Sequence, residues 1–379
     1  MDWTMWLEWL IKSFILVMIL LTGFAYLTLY ERRALARIQT RIGPNRAGPQ
    51  GLLQPIADAV KLIFKEELTP AGADKILFIL APIMTVVPAM ILAAVIPLGT
   101  QFTLPFTNRI ITLHVASINV GVLYLTAIAS IAVYGIVLAG WASNNKYALL
   151  GGLRSTAQMI SYELALGLCV VIAILLGDSM NLVTIVDAQK SMWFAVIQPV
   201  GAVIFLITTL AEVNRAPFDM PEAEQELAAG YHSEYSGMKF ALFFMAEYEK
   251  MIVISLIAAT LFFGGYREFW FLRDTVLSVD RTWWLGPIYL LGKVIVLLFF
   301  MIWVRATWPR IRYDRLMMLG WKVLLPLSIA VVVVTAFGIV LADQLGSIYI
   351  WTIPVMSLFV AGVTVLLVNS SLRRRIAHA

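Results

Sequence analysis

Long, nearly uninterrupted apolar stretches recur along this chain, separated by shorter segments in which charge collects. A helix needs about 20 mostly apolar residues to cross the roughly 30 Å hydrocarbon layer of a bilayer. Nine stretches approach that length: Trp9 to Tyr30, Ile76 to Leu98, Val115 to Gly140, Met159 to Gly177, Trp193 to Ala211, Phe240 to Phe263, Leu285 to Val304, Val323 to Leu341 and Ile350 to Val368. They are continuously apolar rather than alternating, so helices, not barrel strands, are the spanning structure that satisfies the backbone. The pattern predicts an all-α polytopic integral membrane protein, a single membrane domain over residues 1–379 with about nine transmembrane helices.

Composition supports lipid as the main solvent, because 61% hydrophobic against 13% charged residues cannot cover a soluble globule of this size. The charge that remains is placed unevenly. Nine crossings put 20 Lys and Arg residues on one side and six on the other, Lys250 and Lys293 falling inside helices. Basic residues are retained in the cytoplasm during insertion, so the amino terminus is expected outside and the carboxyl terminus in the cytoplasm. Topology and anionic lipid account for a pI near 9.2, and no nucleic-acid module is visible. The first apolar run lacks a basic leader and ends in Glu31-Arg32-Arg33, so it reads as a retained helix rather than a cleaved signal.

The connection over residues 31–75 carries its own helical pattern. Leu52, Leu53, Ile56, Ala59, Val60, Ile63 and Phe64 recur at helical spacing, with Asp58, Lys61, Lys65 and Glu66 between them. An amphipathic helix follows, lying along the membrane face or against a neighbouring subunit. Gly43-Pro44-Asn45 ahead of it reads as a turn flanked by Arg37, Arg41 and Arg46.

Cofactor chemistry within the chain is poorly supported. One cysteine, Cys169 in an apolar run, cannot supply an iron–sulfur cluster, a CxxC pair or an internal disulfide. His114, His232 and His378 have no metal-ligand spacing, no GxGxxG or phosphate loop occurs, and no internal repeat of the transporter kind is evident. No metal site and no complete catalytic site are expected.

Ionisable residues inside the crossings are the sharper signal, since burying charge in a bilayer is costly. With the topology above, Glu31 and Glu212 lie at cytoplasmic ends, Glu163 roughly 6 Å inside and Glu247 roughly 10 Å inside, at 1.5 Å of rise per residue. Lys250, three residues after Glu247, and Lys293 on the seventh crossing fall near the midplane. A carboxylate and an amine so placed exchange protons through water, or form a structural ion pair between helices.

The cytoplasmic loop at 212–239 stands out by sign. Eight acids lie between Glu212 and Glu249 against Arg215, Lys239 and Lys250. Crowded carboxylates repel one another, which favours their protonated forms, although an acidic run is also what a solvated loop looks like.

The loop AEVNRAPFDMPEAEQELAAGYHSEYSGMKFALFFMAEYEK joins YERRALARIQTRIGPNRAGPQGLLQPIADAVKLIFKEE, WASNNKYALLGGLRSTAQMISYEL and WVRATWPRIRYDRLMMLGWKVLLP as the chain's most distinctive blocks. Together, and in order from Tyr30 to Pro326, they resemble the H-subunit family of bacterial NADH–quinone oxidoreductase, respiratory complex I. The resemblance implies a proton-translocating complex in which this subunit joins the electron-transfer arm to the membrane arm and forms much of the chamber through which quinone enters. It implies quinone as substrate, FMN and iron–sulfur clusters held by partner subunits, soluble quinone-site subunits and small membrane subunits as partners, and none of these cofactors on this chain alone.

Carried over residue by residue, the family's chamber and loop positions are Arg32, Arg41, Asp58 and Lys61, then Arg215, Pro217, Phe218, Asp219, Glu222, Glu224, Glu226 and Glu234. Its proton-path entrance is Glu163, Glu212 and Glu247, the same residues that membrane depth selects; Lys250 and Lys293 join from position alone. The chain departs from the pattern at Arg315, at Ala228 and in its ninth crossing. A homologous subunit of an energy-converting hydrogenase or ferredoxin-linked complex is the nearer alternative. A stand-alone ion transporter is the more distant one, opposed by the missing repeat.

Overall fold

The computed structural model describes residues 3–103, 110–219, 229–273, 275, 277–280, 282–346 and 350–377. Helices α1 (Trp3–Ile38), α3 (Lys75–Leu92), α4 (Gly121–Ala142), α5 (Lys146–Gly177), α8 (Pro199–Glu212), α9 (Gly237–Phe262), α10 (Leu285–Thr307), α12 (Leu325–Leu345) and α13 (Thr352–Ala377) hold the nine apolar stretches. Shorter helices α2 (Gln54–Ile63), α6 (Leu182–Ala188), α7 (Phe194–Ile197) and α11 (Tyr313–Leu319) connect them. The fold is all-α, the described strands being one antiparallel pair, β1 (Phe102–Thr103) and β2 (Ile110–Ile111).

Among the described residues six helical segments are long and apolar enough to cross a membrane: Met5–Ile38, Lys75–Val95, Gly121–Ala142, Lys146–Gly177, Leu285–Thr307 and Tyr313–Leu345. The expected count of nine is therefore not reached on length and composition. Two of the remaining helices, α8 and α13, carry shorter apolar portions, Pro199–Glu212 and Thr352–Val368. The third, α9, spans 26 residues, but Glu247, Glu249 and Lys250 interrupt its apolar run.

Two departures from the expected elements bear on the site. The fourth crossing, expected from Met159, starts at Lys146, because Asn145 caps the helix by accepting the Tyr147 amide at 2.9 Å. At 32 residues α5 rises about 48 Å, longer than a bilayer core, so its first turns stand outside it. The fifth crossing breaks at Gln198, where φ −132 and ψ 72 separate α7 from α8 and Pro199 takes the first position of the new helix.

The core lies where α3, α4, α5, α8 and α9 pack side by side. Small residues set the spacing, since a Cβ on Gly140 of α4 would lie 2.8 Å from the Ala148 carbonyl oxygen of α5. By contrast α1 leans on α9 and α10 and exposes most of its apolar surface, Trp6, Leu10, Phe14 and Ile19 among them. That surface suits lipid or a partner helix, not water.

Candidate functional site

Glu212 ends α8, and the chain then turns sharply through Asn214, whose φ of 56 places it in the left-handed region that Asn tolerates. The turn aims Arg215 into the protein. Its side chain is buried, with Nη1 3.1 Å from Glu31 Oε1 of α1 and Nε 2.6 Å from Glu247 Oε1 of α9. Its guanidinium lies 4.4 Å from the centre of the Tyr248 ring. A second arginine, Arg305 near the end of α10, pairs with the same Glu31 oxygen. One loop arginine thus ties three elements together, and the carboxylates of Glu247 and Glu31 hold it protonated against the cost of burial.

The following residues are anchored from two directions. Phe218 is buried and its ring lies 5.8 Å from that of Tyr162, whose hydroxyl donates to the Leu316 carbonyl at 2.9 Å. The Ile311 amide donates to the Pro217 carbonyl at 3.0 Å, and Arg310 lies 3.1 Å from Asp219. Burial pushes the Asp219 carboxyl above the usual aspartate range, with Arg310, Arg305 and Arg215 opposing the shift. The segment after α10 therefore cradles the start of the acidic loop.

The acids chosen by depth meet at this end of the bundle. Glu212 and Lys250 line a cavity of about 40 Å³ between α4, α5, α8 and α9. Both also line a second of about 20 Å³ that reaches Glu247, Asn214 and Tyr231. Each has room for a water molecule, for which about 10–15 Å³ is the minimum. Glu163 on α5 accepts the Ser130 hydroxyl of α4 and stands within electrostatic reach of Glu212. Glu212, Glu247 and Lys250 thus form one neighbourhood around two small spaces, with Glu163 beside Glu212 on α5.

Lys293 is placed elsewhere. Its ammonium donates to the carbonyls of Gly265 at 2.8 Å and Arg267 at 2.6 Å and lies 4.6 Å from the Trp193 ring. Gly265 follows α9, whose last residue lies twelve residues or about 18 Å of helix rise beyond Lys250. Lys293 belongs to a polar seal at the opposite end, where Arg267 pairs with Asp187 and Asp280, and Lys190 with Asp280.

Four chamber residues of the first loop cluster only in part. Arg32 lies 2.7 Å from Asp58 and Lys61 3.9 Å from it, an arrangement that ties α2 to α1. Arg41 donates to Gln39 at 2.8 Å and stands apart. Glu234 accepts Asn145 Nδ2 at 2.6 Å, at the start of α5. Glu222, Glu224 and Glu226 lie outside the described residues. Helix α2 buries none of its residues and exposes Ile56, Val60 and Ile63, with Leu52, Leu53 and Phe64 exposed at its ends, as a helix lying in a membrane interface would.

An apolar cavity of about 630 Å³ runs between α1, α9 and α10, lined by Leu20, Gly23, Leu27, Leu256 and Val294. Exposed Ile19, Tyr26, Leu291 and Ile295 form its rim, so it opens toward lipid. Tyr30 also lines it, and the next residue is Glu31. A greasy, laterally open space therefore ends one residue from the Arg215 and Arg305 cluster.

Several of these partners were not chosen as sites from sequence. Arg305, Arg310 and Tyr248 converge on the loop only through packing. Glu249 is wholly buried, and neither carboxylate oxygen has a hydrogen-bond partner.

A family model described as NADH dehydrogenase matches residues 11–336. The chain is 51% identical over 333 residues to the first-numbered H subunit of NADH-quinone oxidoreductase from Geobacter metallireducens, covering 88% of this chain and 96% of that one. It is 50% identical over 339 residues to the H subunit of the NADH-quinone oxidoreductase of Thermomicrobium roseum, covering 87% and 95%. With the corresponding H subunit of Rhodospirillum rubrum it shares 50% over 331 residues, covering 87% and 93%.

Proposed function

The chain belongs to the NADH dehydrogenase family, and we propose that it is the membrane subunit through which an NADH–quinone oxidoreductase admits quinone and couples its reduction to proton movement. The observation that carries this reading is the junction at Tyr30 and Glu31, where the apolar cavity meets the buried ion cluster. A long apolar tail fits the cavity, and a polar head group advancing past Tyr30 reaches Arg215 and Arg305.

Reduction of a quinone consumes two electrons and two protons, so negative charge develops near the head group before protons arrive. The arginines that hold Glu31 and Glu247 are the nearest cations, and that charge competes with the two carboxylates for them. Weakened pairing of Arg215 with Glu247 releases the carboxylate to take up a proton. The two small cavities then offer a route to Glu212 and Lys250, with Glu163 in electrostatic reach of Glu212. In this account the acidic loop senses the reaction, and the buried acids feed protons toward partner subunits.

The chain's own donors do not suit the redox groups of such a complex. Cys169 is buried in α5 and supplies one thiolate where a cluster takes four ligands, and no group of three metal-binding side chains occurs among the described residues. A lone thiol supports the reading that the iron–sulfur clusters, and the flavin that feeds them, are held by partner subunits. The excess of basic residues in the loops supports a cytoplasmic position for the end with Arg215 and Asp58, with the amino terminus outside.

To test the quinone route, a quinone with a photoreactive group at its tail end is added to the intact complex in vesicles. Labelled peptides should come from Leu16–Tyr30 and from α10, and excess unlabelled quinone should suppress them. Labelling that avoids both segments contradicts the proposal.

A further inference from the structure

Gln158 of α5 is fully buried, and its amide nitrogen faces three acceptors: the carbonyl of Ala211 at 2.9 Å, Oδ1 of Asn214 at 3.1 Å and the carbonyl of Phe218 at 2.9 Å. An amide nitrogen carries two protons, so one acceptor is always under-served. Its own carbonyl oxygen accepts no hydrogen bond in the structure. The reverse orientation of the amide would set oxygen against three acceptors, which leaves this assignment as the stable one.

The three competitors are not equivalent. Ala211 precedes Glu212 in the last turn of α8, Asn214 forms the left-handed turn before Arg215, and Phe218 is the loop's buried anchor. Asn214 is itself held, because its Nδ2 donates to Ser155 at 2.8 Å one turn earlier on α5. Five residues beyond Gln158 on the same helix lies Glu163, about 7.5 Å along the axis.

We infer that Gln158 is a positioning residue that works as a two-state selector, its protons shared among the α8 end, the Asn214 turn and the Phe218 anchor so that docking and release of the loop stay close in free energy. When both protons serve Ala211 and Phe218 the loop is docked. When Asn214 takes one, Phe218 keeps its packing on Tyr162 but loses this hydrogen bond, and the segment carrying Arg215 is held less firmly. Buried polar contacts of this kind are costly to leave unmade, which is what makes the competition effective. The inference deepens the proposed function, and its consequence for turnover rests on that reading; the hydrogen-bond competition does not.

Two variants of the intact complex test it, read by hydrogen–deuterium exchange over residues 213–219 and by quinone-reductase turnover. Asn214→Gly removes one competitor at a position whose φ of 56 suits glycine. Exchange should slow about threefold or more as the loop stays docked, with turnover falling about twofold or more. Gln158→Glu presents a carboxylate to three acceptors and should speed exchange by a similar factor. A purely structural contact predicts faster exchange in both. Unchanged or faster exchange in Asn214→Gly overturns the inference, and that arm decides alone if Gln158→Glu fails to assemble. If exchange slows while turnover is unaffected, the selector stands and the proposed coupling role of the loop fails.

Discussion

Arg215 Nε lies 2.6 Å from Glu247 Oε1, joining the loop that follows α8 to the first half of α9. Removing the arginine leaves Glu247 without this partner in a buried setting, while Glu31 keeps Arg305. Arg215→Ala is expected to cost about 3 kcal/mol or more of stability. Quinone-reductase turnover should fall about tenfold or more, as when roughly 1.4 kcal/mol or more of productive interaction is lost. Arg215→Lys should fall between, because an ammonium cannot reproduce the fork that meets both carboxylates. Thermal unfolding of the purified complex and its turnover measure both effects, and an Arg215→Ala complex with native values contradicts the assignment.

Glu249 behaves oppositely. Its carboxylate is wholly buried with no hydrogen-bond partner, so it is a cost to folding rather than a tie. Glu249→Met, similar in length and apolar, should raise stability by about 1–3 kcal/mol, seen as a higher unfolding midpoint. A lower midpoint would show that the carboxylate is held by something the fold alone does not reveal.

His232 gives a pH signature. Burial pushes its pKa from the ordinary 6.5 down to about 4. Below pH 6.5 the unfolded chain takes up a proton that the folded chain refuses, so this contribution is complete above 6.5 and is lost as pH falls toward 4. The loss reaches up to roughly 3 kcal/mol. His232→Phe, whose ring can keep the contacts with Tyr231 and Phe240, should flatten the acid side of the unfolding-midpoint profile between those limits. Parallel profiles for the two proteins would refute it.

Close packing at the loop's far end supplies another test. A Cβ on Gly151 of α5 would lie 2.6 Å from Gly230 Cα and 3.0 Å from the Tyr231 amide nitrogen, both backbone atoms. Gly151→Ala must therefore displace the turn at Gly230–His232, at about 1–3 kcal/mol. Proteolysis between residues 229 and 237 should quicken in the variant, and an unchanged rate would count against that contact.

The membrane architecture was largely legible because apolar runs of bilayer length have few other uses, although the fifth run breaks at Gln198 and six described segments, not nine, are long and apolar enough to cross. Element ends were less so. Asn145 caps α5 well before the run that marks the crossing, since a cap acts on backbone amides and leaves no trace in hydropathy. Glu163, Glu212 and Glu247 could be picked as candidates from sequence by type and expected depth, since acids within apolar runs are unusual. The pairing within the site was not legible. Glu31, Arg215, Glu247 and Arg305 come from four separate segments, and only packing shows that two arginines share Glu31. Lys293 illustrates the reverse, because depth counted along a helix cannot reveal that the loop after α9 folds back to give it Gly265 and Arg267 as partners.

The central claim is that Glu247 carries protons on behalf of quinone reduction, and Glu247→Gln tests it most directly. The variant complex is reconstituted into vesicles, and NADH-driven quinone reduction and proton translocation are followed together. Glutamine keeps the size and an oxygen facing Arg215 but neither binds nor releases a proton near neutral pH, so reduction and translocation should both fall severalfold. Full turnover with undiminished translocation would contradict the account.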